Sequence, residues 1–493
     1  MSDSTEKKLG VIPLAAIVVS AMIGGGVFSL PQNMGQSAGV GAVIIAWIIT
    51  GIGMFFIANT FRILSDARPD ATTGIYAYAR LGFGRFGGFQ MAWAYWLCNI
   101  FGNVGYAVLL MDALDYFFPG WFTGGNNLWS IVGGSVMIWV MNWAVLRGTH
   151  QAAFINTVGT IFKLVPLCLF ILILLFTFHW SYFTTDFWGT ETIAAFHQKP
   201  LGGIMDQVKS TMLVTLWAFI GIEGAIVVSS RAKDQKSVGR ATLIGFLGCL
   251  FIYACLSILP FGRMHQAEIA KLVNPSTAPI LSSIVGTWGG ILMNLGVIIA
   301  LVTSWLAFTI MIAQIPQAAA QDGTFPKIFC SENKNGTPNV SLIVTSCLMQ
   351  LAMIMVYFAN NAWNTMLSVT GVMILPPYLA CTAYLWKLCA THQYQKGLPV
   401  KAGMALLCGV AGTIYAIWMI YAAGLSYLLM AFIFLVIGIP VYLKSCRDIN
   451  EENAKNGKPA IQAFNSYERF AAIVIVLVAL AAIILFSTGK VKL

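Results

Sequence analysis

The chain has 493 residues, 58% hydrophobic and 9% charged, where a soluble domain carries about a quarter charged residues. That balance excludes an ordinary soluble enzyme and points to a polytopic membrane protein. The net charge of +10 does not mark a nucleic-acid binder. With the N-terminus in the cytoplasm and spans alternating, all Lys and Arg except Lys199, Lys209, Arg263, Lys271, Lys490 and Lys492 fall on cytoplasmic loops or helix ends, which is the positive-inside pattern.

Thirteen apolar stretches have membrane length, at about 20 residues per span. They cover 10–32, 38–62, 88–116, 127–147, 156–178, 208–229, 240–262, 282–318, 340–359, 362–389, 402–422, 425–444 and 469–488. The first follows a polar segment with Lys7 and Lys8 and lacks a cleavage-site pattern, so it is expected to stay in the mature protein. The eighth is long enough for a tilted helix that runs on into the cytoplasm. Polar segments lie at 62–87, 179–207, 321–339 and 444–468. The second is aromatic-rich and predicts a headgroup-level belt or a short helix over the outer mouth. With no low-complexity linker, one membrane domain over 1–493 is expected.

Two spans are interrupted. The first reads Ser20-Ala21-Met22-Ile23-Gly24-Gly25-Gly26-Val27-Phe28, and the sixth reads Trp217-Ala218-Phe219-Ile220-Gly221-Ile222-Glu223-Gly224. Glycine costs about 1 kcal/mol relative to alanine inside a helix. A break at membrane depth is tolerated only around a cavity or inside protein. Breaks in the first and sixth spans fit two five-helix units, 10–178 and 208–389, with 402–488 added. Because five is odd, the second unit enters from the opposite side, so the repeat is inverted.

Facing half-helix ends suit a zwitterion. Amides near Gly25 and Gly26 would take a carboxylate. Carbonyls near Met22, Trp217 and Ile220 would take an ammonium. The bland alternative is that the glycines only allow close helix packing. Glu223 is the one acid deep in the apolar core, with Asp112, Asp115 and Asp206 near span ends. It either senses substrate charge, carries a proton, or is a structural acid bonded to the broken backbone. Lys163, two turns from the cytoplasmic end of span 5, either snorkels or places its ammonium where a sodium ion would bridge helices. Tyr95, Trp96, Trp217, Trp305, Phe308 and Tyr378 stack on a cationic substrate, close gates, or simply pack. The ten cysteines show no metal spacing, and no P-loop, HExxH or nucleophile elbow occurs. No cofactor, metal or disulfide is expected.

Further motifs are Ser29-Leu30-Pro31-Gln32-Asn33-Met34, Gly74-Ile75-Tyr76-Ala77-Tyr78-Ala79-Arg80, Tyr95-Trp96 with Gly102-Asn103, Leu216–Glu223 and Ala318–Pro326. Together and in order with the first break, they resemble the amino acid–polyamine–organocation (APC) superfamily over nearly the whole chain. The basic amino acid antiporters of the arginine/ornithine type are the most similar group. The resemblance implies the five-plus-five inverted all-α fold and alternating-access exchange. It implies that Met22, Gly25, Gly26, Trp217 and Ile220 meet the substrate head, while Asn103 and Thr370 meet a cationic side chain. It implies an inner gate of Tyr95, Glu223 and Tyr378, an outer gate at Trp217, and Lys163 at the sodium-like position. Two departures stand out. Gly25 occupies the place of a serine in arginine/agmatine exchangers. The stacking tryptophan of span 8 aligns with Phe308, whereas Trp305 lies one turn earlier.

The expected function is electroneutral exchange of arginine for ornithine across the plasma membrane, as a multi-pass bacterial inner-membrane protein. Alternatives are lysine/cadaverine, histidine/histamine or arginine/agmatine exchange, a proton-coupled importer working through Glu223 or Lys163, a receptor without transport, and a membrane enzyme, for which no cluster of His, Asp or Ser exists. Expected partners are cationic amino acids and lipid, with a homodimer open to it and no nucleic acid.

Overall fold

The computed structural model describes residues 10–71, 75–148, 152–191, 200–223, 235–395 and 397–491. All regular structure among them is helical. In chain order the helices are α1 (Val11–Met22), α2 (Leu30–Gly35), α3 (Val40–Ala67), α4 (Ile75–Asp115), α5 (Leu128–Leu146), α6 (Ala152–Phe176), α7 (Trp180–Thr184), α8 (Ile204–Ala218), α9 (Gln235–Ile258), α10 (Gln266–Ala270), α11 (Thr277–Val285), α12 (Thr287–Gln321), α13 (Asn339–Val356), α14 (Ala362–Ala390), α15 (Ala402–Ala423), α16 (Leu425–Lys455) and α17 (Ser466–Ser487).

Among the described residues, eleven helices are long and apolar enough to cross a membrane, and a pair bent by 57° across 14–20 and 25–35 makes a twelfth span. The remaining predicted span, 208–229, appears as α8 and a turn that is described as far as Glu223. Its second half lies outside the described residues.

Three spans differ from their expected bounds. The third begins at Ile75, so much of the expected polar connection 62–87 is helix. Gly84, at φ 88°, kinks it. A kink frees amides that need new acceptors, and the carboxylate of Glu468 on α17 accepts from the Phe86 N–H at 2.8 Å. The eighth span splits at Gly286 (φ 84°) into α11 and the 35-residue α12. The twelfth continues to Lys455. Its polar extension is supported by the Lys444–Asp448 pair at 2.7 Å, one turn apart, and by Lys327 pairing with Glu452.

In the aromatic segment 179–207, α7 is the short helix. Phe187 accepts from the Gly41 amide at 2.8 Å, and Gln207 accepts from the Gly39 amide at 2.9 Å, so the segment covers the start of α3.

Packing partners repeat with a shift of five spans. The first span packs on the seventh (α1 on α9), as the sixth packs on the second (α8 on α3). The third packs on the tenth (α4 on α14), as the eighth packs on the fifth (α12 on α6). Two similar units related by a twofold axis produce this exchange of neighbours. The most apolar windows of α4 and α14 are 83% and 72% buried, against 17% for α17, which puts α4 and α14 at the centre and α17 at the periphery.

Candidate functional site

The first break begins where α1 ends at Met22. Ile23 and Gly24 are extended, and a 3-10 turn over Gly25–Ser29 leads into α2. The need for glycine here is room rather than torsion, since Gly24 at φ −89° is ordinary backbone. A Cβ on Gly24 would lie 2.6 Å from the Tyr106 hydroxyl, one on Gly25 2.4 Å from Leu301 Cδ2, and one on Gly26 1.9 Å from the Trp217 ring. The second break does need its glycine for torsion. After Ala218 the chain turns through Ile220 N–H to Trp217 O (3.1 Å), and Gly221 sits at φ 105°.

The two breaks meet at one cavity, with about 480 Å³ of empty space that includes its opening to solvent. It is a tight slot, and a bound amino acid would part its rings. Met22, Asn103, Trp217, Ile220, Phe308 and Thr370 line it. Asn103 and Thr370 are 1% and 2% exposed, and neither Asn103 Nδ2 nor Thr370 Oγ1 has a hydrogen-bond partner. Buried polar groups are nearly always paired. Two orphans facing one cavity mark a place for a polar ligand. Among the described residues, none of those lining it is a carboxylate. The open Asn103 Nδ2 is a donor, so a cationic end would meet the Thr370 hydroxyl oxygen and the rings of Phe308 and Tyr106.

The cavity lies between two side-chain layers. On one side Trp217 packs edge-on against Trp363 at 5.3 Å, and Trp363 Nε1 donates to Asn33 Oδ1 on α2 at 3.1 Å. On the other side Tyr95 and Tyr378 donate their hydroxyls to the two oxygens of Glu223, at 2.9 and 2.8 Å. Glu223 also accepts from the Gly221 amide at 3.1 Å, and is 8% exposed. Asn103 lies eight residues beyond Tyr95 on α4, and Tyr378 eight beyond Thr370 on α14. At a rise of 1.5 Å per residue, both steps span about 12 Å. The two central helices thus set the same spacing between slot and inner layer.

Lys163 does not snorkel. Its Nζ donates to the Ser20 carbonyl at 2.7 Å, and the residue is 2% exposed. Ser20 Oγ also bonds Thr160 Oγ1 at 2.6 Å. The Met22 carbonyl already accepts from Tyr253 Oη (2.9 Å) and the Gly24 amide (3.1 Å). What Met22 brings to the cavity is therefore not a free carbonyl.

Gly25 and Gly26 flank the slot, packed on Leu301 and Trp217, while Gly24 and Val27 line it. Phe308 lines it too, with its ring 5.9 Å from that of Tyr106. Trp305 is fully buried and is absent from the lining. Sequence reasoning missed Asn99 and Tyr106. Their signal was helical spacing, since residues 95, 99, 103 and 106 share one face of α4.

The amino acid permease family model matches residues 9–450. The "Arginine/agmatine antiporter" of Chlamydia pneumoniae is 56% identical over 489 residues, 99% of each chain. That of Chlamydia trachomatis serovar L2 is 52% identical over 486 residues, 98% of each chain. A Clostridium perfringens protein, named provisionally as an amino-acid transporter, is 55% identical over 98% of this chain and 99% of its own. A family match of that extent, on a helical bundle whose first span is broken and whose sixth ends in a glycine turn beside a polar slot, places this chain in the amino acid permease family of the APC superfamily.

Proposed function

We propose that the chain exchanges cationic amino acids by alternating access, with arginine entering against agmatine leaving. The observation that carries this reading is that relatives 52–56% identical over nearly their whole length bear the name arginine/agmatine antiporter. The slot supports it. Thr370 Oγ1 and the Phe308 ring offer recognition of a guanidinium, the end that arginine and agmatine share, and Asn103 would add to it through its amide oxygen. The amides at the first break meet the carboxylate of arginine alone. Trp217 with Trp363, and Tyr95 and Tyr378 with Glu223, act as the outer and inner gates. Lys163 holds the end of α1 in place of a bound cation.

The protein sits in the plasma membrane with its N-terminus in the cytoplasm, and 10–178 and 208–389 move as inverted repeats. Proteoliposomes loaded with agmatine should take up labelled arginine, and an imposed potential should change the rate, because agmatine carries +2 and arginine +1. Ornithine is the alternative returning cargo. It keeps a carboxylate and carries +1, so that exchange would ignore the potential. Uptake into empty vesicles driven by a pH gradient alone would overturn the exchange reading.

A further inference from the structure

A second space of about 900 Å³, open to solvent, lies beyond the end of α4. By the orientation proposed above it faces the outside. Asp112 and Asp115 line it from the last turn of α4, three residues apart and so on one face. The carbonyl end of that helix adds its own partial negative charge. Asn274 and Asn294 line it from across the cavity. Asn294 is 1% exposed; its Nδ2 donates to the Gly290 carbonyl at 3.0 Å, and its Oδ1 has no partner. Asn274 Nδ2 donates to Gln32 at 3.2 Å, and its Oδ1 is likewise unpartnered.

Asp115 accepts from the Phe122 N–H at 2.8 Å and from Thr123 Oγ1 at 3.3 Å, so the open acceptors are the two asparagine oxygens, and among the described residues no Lys, Arg or His lines the cavity. A buried amide oxygen with nothing to accept from, opposite two carboxylates, calls for a ligand rich in N–H donors and positive charge. The space is far larger than a bare metal ion needs, and no group of three metal-binding side chains occurs among the described residues. An organic cation fits. The cavity wall is also fastened to the broken first span. Ser276 Oγ accepts from the Gln32 amide at 3.1 Å and donates to the Phe28 carbonyl at 3.4 Å.

We propose that this cavity is a second, outer binding site for the guanidinium or ammonium end of the cargo, occupied before the slot between the breaks. The proposal rests on the exchanger reading above. Purified full-length protein titrated with labelled arginine should bind more than one arginine per chain. Asp112→Asn should weaken the added site about tenfold, the scale of one charge-assisted hydrogen bond. Asn294→Asp, which adds a carboxylate, should tighten it. In oriented vesicles both variants should move the KM for arginine from the outer face, in opposite directions, and leave the inner-face KM unchanged. One arginine per chain, with an outer-face KM that neither variant moves, overturns the outer site alone. Calcium saturating the cavity while arginine does not enter it also overturns the proposal. A wild-type chain that binds no arginine at all would remove the exchanger reading with it.

Discussion

Lys163 Nζ stands 2.7 Å from the carbonyl oxygen of Ser20, so an ammonium on the fifth span seals the last turn of the first half-helix. Removing it strands a buried carbonyl next to the slot. Lys163→Ala should slow arginine exchange about tenfold or more, since a hydrogen bond to a charged group contributes about 1.5–3 kcal/mol. Lys163→Gln, which keeps an N–H donor without the charge, should fall between. Wild-type rates in the alanine variant would exclude any part for this contact in the transport cycle.

Glu223 accepts from Tyr95 and Tyr378 together, so the inner layer should behave as one unit. In Glu223→Gln the amide nitrogen cannot accept, and one tyrosine hydroxyl loses its partner. The double variant with Tyr378→Phe should be non-additive by about 0.5–3 kcal/mol in thermal stability, the range seen for residues in one network. Additive losses would mean that the two residues act independently.

Asn103 Nδ2 and Thr370 Oγ1 have no protein partner. Removing these two atoms breaks no hydrogen bond within the protein. Asn103→Ala and Thr370→Val should leave the melting temperature unchanged or higher and raise the KM for arginine by about tenfold each, by loss of about 1–2 kcal/mol of hydrogen bonding to cargo. A drop in melting temperature with unchanged KM would show instead that both residues are structural.

A methyl group at position 26 would collide with the Trp217 ring, which Trp363 backs. Gly26→Ala should cost about 1–3 kcal/mol as overpacking and stop the outer layer from closing, read as lost exchange. Trp217→Phe in the same chain should recover part of it. Gly25→Ala meets Leu301 Cδ2 and Cγ at 2.4 and 2.5 Å instead, so Trp217→Phe should not recover it. Equal recovery of both variants by Trp217→Phe would argue against closure at Trp217.

Phe308→Ala should raise the KM, because Phe308 lines the slot, whereas Trp305→Phe should act on stability. Kinetics of the two variants decide which ring faces the cargo. The sequence left this open because residues 305 and 308 are three apart and share a helix face.

Most spans could be read from the chain because a bilayer demands long apolar runs. Both breaks were visible as glycine clusters, although Gly25 and Gly26 proved to be needed for close approach rather than for torsion. The extra turns of α4 were not visible. Arg80 and Arg85 make 75–87 polar, and a distant residue, Glu468, completes that bend. The Asn33–Trp363 contact was also hidden, since it joins segments 330 residues apart. Periodicity describes one helix at a time and says nothing of such partners.

The Phe86 amide finds its acceptor on α17, 382 residues further along the chain. The bend at Gly84 therefore waits, through the making of those residues, for its own closing piece. A protein shortened before position 465 would insert its early helices and still carry an unfinished elbow at Gly84.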